Sequence, residues 1–334
     1  MNTPSQDLLR MGFGFAVAQA LHVAAELGIA DLLHDGPRST EELASATGTD
    51  PGALYRVLRF LSGEGVFRED SVGRFAQTEL SDGLRVDAPD SPRDFIRMIN
   101  SEAYIAWGQL LHSVRTGKTA FEHVFGAPRF DWLANHPDQA ALFQRAMIAL
   151  SQGANAEAAE AYDFTGCKRV VDVGGGHGQL LSAIVTRNPH LSGVLYDLAA
   201  GIAAAKTGVG GPLPRCDLIA GDFFEGVPEG ADVYIVKKVI HDWDDERAAQ
   251  IFANCRRAMA PGGRVLVAET IVPSGNEPHP TKRMDLNMLV VTGGMERTEA
   301  QYERLFAHAG LRLVRVIPTR GTLSILEAVG SATS

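Results

Sequence analysis

Residues 170–179, Val-Val-Asp-Val-Gly-Gly-Gly-His-Gly-Gln, constrain the fold of this chain more than any other stretch. An apolar run ends in glycines and passes into a segment that opens Leu180-Leu181. Gly174 and Gly176 permit backbone angles and a close ligand approach that a Cβ would forbid. Strand, glycine turn and helix in that order call for a sheet with helices packed on it. A glycine loop alone is as often a structural turn as a ligand cradle.

The segments on either side of the loop settle the architecture. Strand-like runs recur at Arg169–Val173, Gly193–Tyr196, Asp217–Ala220, Asp232–Val236 and Arg264–Glu269, with helical stretches at Gln179–Thr186, Glu246–Met259 and Glu299–Ala309. A last pair, Leu311–Ile317 and Thr322–Ala328, reads as an antiparallel hairpin turned at Pro318–Gly321. The expectation is α/β, a doubly wound Rossmann-like sheet whose ligands sit outside the carboxyl ends of the strands. A dinucleotide fingerprint needs G-x-G-x-x-G/A, and Gln179 stands in its last place. The spacing is instead D-x-G-x-G-x-G through Asp172, Gly174, Gly176 and Gly178. An acid at the mouth of the loop repels a pyrophosphate but receives a cationic amino group. Asp197, at the next strand end, is placed to accept ribose hydroxyls. Asp222 and Phe223, after the third strand, suit the amine and the face of an adenine.

His241 stands in Val239-Ile-His-Asp-Trp-Asp-Asp245, just past the fourth strand and beside the first in a doubly wound order. A histidine, titrating near pH 7, is the side chain best suited to take a proton from a substrate held beside the cofactor. Asp242, Asp244 and Asp245 suggest metal ligands, but acids also stabilise a helix N-terminus, and that reading is preferred. No metal is expected.

The first 95 residues differ in character. Residues 8–33 read as one amphipathic helix, and Ser39 or Thr40 with Glu42 as a capping box. A further helix spans Ala53–Leu61 after Asp50-Pro-Gly, and a short hairpin turns at Asp70–Gly73. That pattern is a winged helix. DNA reading needs several cations on one face. Residues 1–95 hold eight arginines and no lysine against fifteen acids, and the whole chain carries −9. Nucleic acid is therefore excluded as a main partner, and a dimer surface is the expected use. From 96 to 162 the chain is helical and aromatic, and the remainder, 163–330, is the cofactor domain. Phe13–Leu33 is interrupted by Gln19, His22 and Glu26, so no membrane span is expected. With no basic-then-apolar leader and three scattered cysteines, Cys167, Cys216 and Cys255, a cytoplasmic protein with reduced thiols is expected.

Asp-Val-Gly-Gly-Gly-His-Gly, Gly-Asp-Phe-Phe (221–224), His-Asp-Trp-Asp-Asp (241–245), Ala-Pro-Gly-Gly-Arg-Val-Leu-Val-Ala-Glu (260–269) and Gly-Gly-Met-Glu-Arg-Thr (293–298), in that order, resemble S-adenosylmethionine-dependent O-methyltransferases of the plant caffeate and bacterial polyketide type. The resemblance covers nearly the whole chain. It implies S-adenosylmethionine as methyl donor, S-adenosylhomocysteine as product, and a homodimer intertwined through the N-terminal region. It further implies that Glu269 and Glu296 flank and orient His241, and that Lys237 and Trp243 lie near the cofactor. Asp285, Asn287 and Met288, together with Trp107, Phe143 and Met147, are its candidate acceptor-pocket residues. Val290-Val-Thr292 replaces the polar pair found here in plant members and resembles the bacterial natural-product branch. The expected function is methylation of a hydroxyl on an aromatic, polycyclic or heteroaromatic secondary metabolite. N- or C-methylation is the nearest alternative, since a nitrogen with a free lone pair needs no base. Hydroxylation or decarboxylation on the same fold and a ligand-sensing regulator are weaker rivals, the first opposed by the His-Glu-Glu set and the second by the acidic N-terminal region.

Overall fold

The computed structural model describes residues 3–208 and 211–331. They fall into two compact units: Met1–Gly108 with Phe130–Leu150, and Gln109–Arg129 with Ser151–Ser334.

In the first unit the single helix expected over 8–33 is three: Pro4–Gly12, Gly14–Glu26 and Ile29–Leu32. Gly28, at φ 64°, turns the chain left-handed between the last two, and Phe13 leaves helical geometry between glycines 12 and 14. Ser39 caps Thr40–Thr47, its hydroxyl accepting from the Glu42 amide while the Glu42 carboxylate accepts from the Ser39 amide. Asp50 caps Pro51–Gly63, which buries Leu54, Leu58 and Leu61 on the i, i+4, i+7 face. A strand not foreseen, β1 (Arg38–Ser39), extends the hairpin of β2 (Phe67–Glu69) and β3 (Arg74–Gln77) in the order β1-β3-β2. Ile29, Leu43, Leu58, Leu61, Phe67 and Phe75 form the core these elements share.

The second unit holds a seven-stranded sheet. Its strands are β4 (Arg169–Val173), β5 (Ser192–Asp197), β6 (Cys216–Ala220), β7 (Ala231–Lys237), β8 (Met259–Glu269), β9 (Leu311–Pro318) and β10 (Ser324–Gly330). Their order is β6-β5-β4-β7-β8-β10-β9, and all run the same way except β10, which is antiparallel to both its neighbours, β8 and β9. β8 begins earlier than its apolar run because Met259 already pairs with Ala231, before the register shifts at Val233. Alternate residues feed opposite faces. Val171, Val173, Tyr234, Val236, Val265 and Val267 pack against helices Asp245–Ala258 and Glu299–His308. Val170, Val233, Ile235, Leu266 and Ala268 pack on the other face, with Leu181 and Ile184 of helix Gln179–Arg187. Both faces are covered, which is why these strands read as unbroken apolar runs. Strand order reverses between β4 and β7, and this is where a doubly wound sheet opens a crevice.

Candidate active site

The crevice is lined from the ends of successive strands. After β4, Gly174, Gly176 and Gly178 all take positive φ (70°, 57° and 78°), and Gly178 leads into helix Gln179–Arg187. A Cβ on Gly174 would stand 2.8 Å from the Val239 side chain, whereas one on Gly176 would meet nothing. The loop is therefore tight against the protein on one side and open on the other. Asp172 is buried, and its Oδ2 has no hydrogen-bond partner among the described residues. Burial, with Asp197 nearby, pushes its pKa up to about 7 against the pull of Lys237. A carboxylate so placed gains from a cationic ligand group. Asp197 accepts from the Gly176 amide at 2.8 Å and the Leu198 amide at 2.7 Å, so β5 holds the glycine loop from the side. Burial raises its pKa as well.

Asp222 is exposed and accepts from the Phe224 amide at 2.8 Å, tying the turn after β6. Phe223, Phe224 and Trp243 form an edge-to-face cluster, with centroids 4.8 Å apart for Phe223–Phe224 and Phe224–Trp243. Asn254 donates to the Phe223 and Phe224 carbonyls at 2.7 and 2.9 Å, and the Arg247 guanidinium lies over Phe224 at 4.8 Å. Lys237, at the end of β7, donates to Ser151 Oγ at 3.2 Å. Burial lowers its pKa, opposed by Asp172 and Glu269. This acid, glycine and aromatic set fits S-adenosylmethionine: a carboxylate for the amino group, an open loop for the chain, an aromatic face for the base.

His241 sits on a short 3₁₀ turn, Ile240–Asp242, just past β7. Its Nδ1 is 2.8 Å from Glu296 Oε1 and 3.8 Å from Glu269 Oε2, and both glutamate side chains are fully buried. The Glu296 carboxylate can only accept, so Nδ1 carries the hydrogen and the neutral ring keeps its lone pair on Nε2. Asp242 Oδ2 lies 4.0 Å from Nε2. Burial opposes protonation of the ring, but Glu269, Asp242 and Glu296 together outweigh it and raise its pKa to about 9. That is above the near-neutral value expected from the sequence, because two buried carboxylates face one imidazole. The same pairing holds Glu296 below the usual carboxylate range despite its burial. Asp242 is pushed up to about 6 by burial, with His241 pulling against it.

Two residues that local sequence patterns do not single out, Arg297 and Lys238, brace the turn and the glutamates of this site. Arg297 is fully buried and donates to the Ile240 carbonyl at 3.1 Å, the Trp243 carbonyl at 2.9 Å and Asp245 Oδ1 at 2.9 Å. It thus holds the turn on both sides of His241. Lys238 has φ 53°, and its Nζ lies 3.5 Å from Glu269, 3.6 Å from Glu296 and 2.8 Å from Thr270 Oγ1. The paired glycines pack as closely: a Cβ on Gly294 would come within 2.0 Å of the His241 carbonyl oxygen. Asp244 caps helix Asp245–Ala258 through the Arg247 amide, the role preferred for these acids.

The acceptor-pocket candidates divide. In the second unit Asp285 accepts from the Glu296 amide at 2.9 Å, which makes it a tether of the glutamate loop. Asn287 contacts Met284 within its own helix, Pro280–Val291, and Met288 is buried there. Trp107, Phe143 and Met147 belong to the first unit, where Phe143 and Met147 pack on Met98, Leu142 and Ala146.

Comparison with known proteins places this architecture in a family. An O-methyltransferase domain model matches residues 107–312, and an O-methyltransferase dimerisation domain model matches residues 9–87. The chain belongs to the O-methyltransferase family and is a methyltransferase enzyme. It is 45% identical over 329 residues to a phenazine O-methyltransferase of Lysobacter antibioticus, covering 97% of this chain and 96% of that one. It is 32% identical over 316 residues to a phenazine-1-carboxylate N-methyltransferase of Pseudomonas aeruginosa, covering 94% and 93%. Among solved structures it resembles an O-methyltransferase from neocarzinostatin biosynthesis in complex with S-adenosylmethionine and 2-hydroxy-5-methyl naphthoic acid. There the TM-score is 0.85 at 35% identity, covering 94% of this chain and 96% of that one.

Proposed function

We propose that this enzyme methylates a hydroxyl group on an aromatic, polycyclic or heteroaromatic secondary metabolite, with His241 as general base. The observation that carries the reading is the 2.8 Å contact of His241 Nδ1 with Glu296, which leaves Nε2 as the basic nitrogen. S-adenosylmethionine supplies an electrophilic methyl group when bound. Asp172 receives its amino group, Gly174 and Gly176 admit its chain, Asp197 its ribose hydroxyls, and Asp222 and Phe223 its adenine, with Lys237 and Trp243 close by. His241 takes the phenolic proton onto Nε2, so the oxygen becomes a nucleophilic phenolate. Glu296 holds the ring and, with Glu269, stabilises the imidazolium that forms, as the aspartate does behind the histidine of a Ser-His-Asp triad. A fixed alignment of donor and acceptor supplies much of the acceleration.

Asp285, Asn287 and Met288 are proposed as acceptor-contacting residues of the second unit, and Trp107, Phe143 and Met147 as those of the first. Residues 1–95 serve as the dimerisation domain, 96–162 as a helical substrate-lining region and 163–330 as the catalytic domain. Pro4–Glu26 is long and apolar enough by length and composition to cross a membrane. We read it instead as dimer surface in a soluble, cytoplasmic homodimer. N-methylation is the second reading, favoured by the likeness to an N-methyltransferase. Incubating the enzyme with S-adenosylmethionine and matched phenol, aromatic amine and N-heterocycle acceptors, with product mass spectrometry, separates the two. O-methyl products are expected, and exclusive methylation of nitrogen would overturn the assignment.

A further inference from the structure

His241, Glu269 and Glu296 lie close enough to share a metal ion, their ligand atoms falling within 4.8 Å of one another. A cation is already beside them. The Lys238 ammonium stands 3.5 Å from Glu269 Oε2 and 3.6 Å from Glu296 Oε1, and it donates to Thr270 Oγ1 at 2.8 Å. We propose that Lys238 is a positioning residue whose ammonium balances the buried glutamate pair, so that His241 can lose its proton and act as a base. The proposal rests on the general-base reading of His241.

Charge balance favours this role. Two carboxylates with fully buried side chains and one imidazole leave a net of two negative charges when the ring is neutral. A like-charge pair in a buried site strongly favours any proton or cation that reduces it. With no fixed cation, the proton that satisfies the pair would be the one on His241, and the ring would stay an imidazolium. An ammonium against both carboxylates brings the site to a single negative charge and makes the ring's proton easier to lose. The other charged and titratable groups facing this cluster do not replace it. Asp242, on the same turn, adds negative charge. Arg297 spends its guanidinium on Asp245 and on the carbonyls of the His241 turn. Lys237 donates to Ser151 and divides its field between Asp172 and Glu269, Arg129 acts on Asp242, Asp285 is tied to the Glu296 amide, and Tyr302 is a buried phenol.

The backbone gives an independent sign. Lys238 has φ 53°, a conformation favoured by glycine and rare for a long side chain. Strain retained at such a position calls for a local reason, and the ammonium's location supplies one. It also supplies a clean variant, because glycine at 238 removes the charge while relaxing the backbone.

The test is an NMR titration of the His241 imidazole in the ligand-free dimer, its resonance assigned by loss in His241→Ala, alongside pH–rate profiles with a phenolic acceptor. In Lys238→Gly and Lys238→Met the His241 pKa should rise by about one unit, and kcat/KM on the acid limb should fall about tenfold. Lys238→Arg, which keeps the charge, should restore both. Unchanged His241 titration in the glycine and methionine variants would overturn the proposal. If His241→Ala remained active while the pKa shifts appeared, the base assignment alone would fail. Recovery of the Lys238→Gly profile on adding Mg²⁺ or Zn²⁺ would support a cation requirement at this place. Loss of wild-type activity to a chelator would show that a metal, not Lys238, meets it.

Discussion

At the scale of single residues, the behaviour of the site turns on where one proton sits. The His241 pKa of about 9 means that the ring is mostly imidazolium in the free enzyme at neutral pH. Base-dependent transfer therefore rises with pH, and kcat/KM should climb by roughly fiftyfold between pH 7 and 9. Glu296→Gln keeps an acceptor for Nδ1 but removes a charge, so its acid limb should move to lower pH while its plateau drops. A pH–rate comparison of the two enzymes reads both effects, and identical limbs would contradict the electrostatic account. Gly174→Ala is expected to act on the donor rather than on the base. Its Cβ would meet Val239 at 2.8 Å on a backbone with φ 70°, so S-adenosylhomocysteine affinity by calorimetry should fall at least tenfold.

The elements that carry these residues are legible in the sequence to different degrees. β4, with its apolar run ended by Gly174-Gly-Gly, occupies the span its pattern predicts, and the caps at Ser39 and Asp50 sit where their side chains demand. These are local signals, and local physics decides them. The break between Gly14–Glu26 and Ile29–Leu32 is hidden because an apolar period runs straight through Gly28. Glu269 and Glu296 are reached only through family resemblance, since nothing near either in sequence points at a histidine 28 or 55 positions away. Lys238 gives no such signal, and Arg297 stands in the Gly293–Thr298 motif with nothing to mark its role. Their contacts arise only when β7, β8 and the segment at 296–297 are brought side by side, with Ile271 bridging to Arg297. Arg297 carries the clearest prediction at this scale. Arg297→Ala orphans the carbonyls of Ile240 and Trp243 and should cost about 3 kcal/mol of stability. Chemical denaturation measures it, and a loss below about 0.5 kcal/mol would mean the turn is held by other contacts.

For the molecule as a whole, pH and association state are the accessible variables. The folded His241 pKa lies above its unfolded value near 6.5. Its ion pairing is thus fully stabilising below pH 6.5 and is lost as pH rises through about 9. The melting temperature of the wild type should fall more over that window than that of His241→Ala. In the N-terminal unit Leu8, Leu9, Met11, Phe13 and Phe15 are all more than half exposed, within or beside the segment matched by the dimerisation model. A single chain exposing such a patch is incomplete without a partner. Leu9→Glu with Phe13→Glu should shift the protein from dimer to monomer in light scattering, and an intact dimer would remove this face from the interface.

Removal of the acceptor's proton by His241 is the step on which the proposed chemistry depends. Single-turnover methyl transfer to a phenolic acceptor at pH 7.5, with donor affinity measured alongside, tests it most directly. His241→Ala should transfer the methyl group on the order of 10²–10⁴ times more slowly while S-adenosylmethionine binds within a few-fold of wild type. A variant that kept the wild-type transfer rate would contradict the base role.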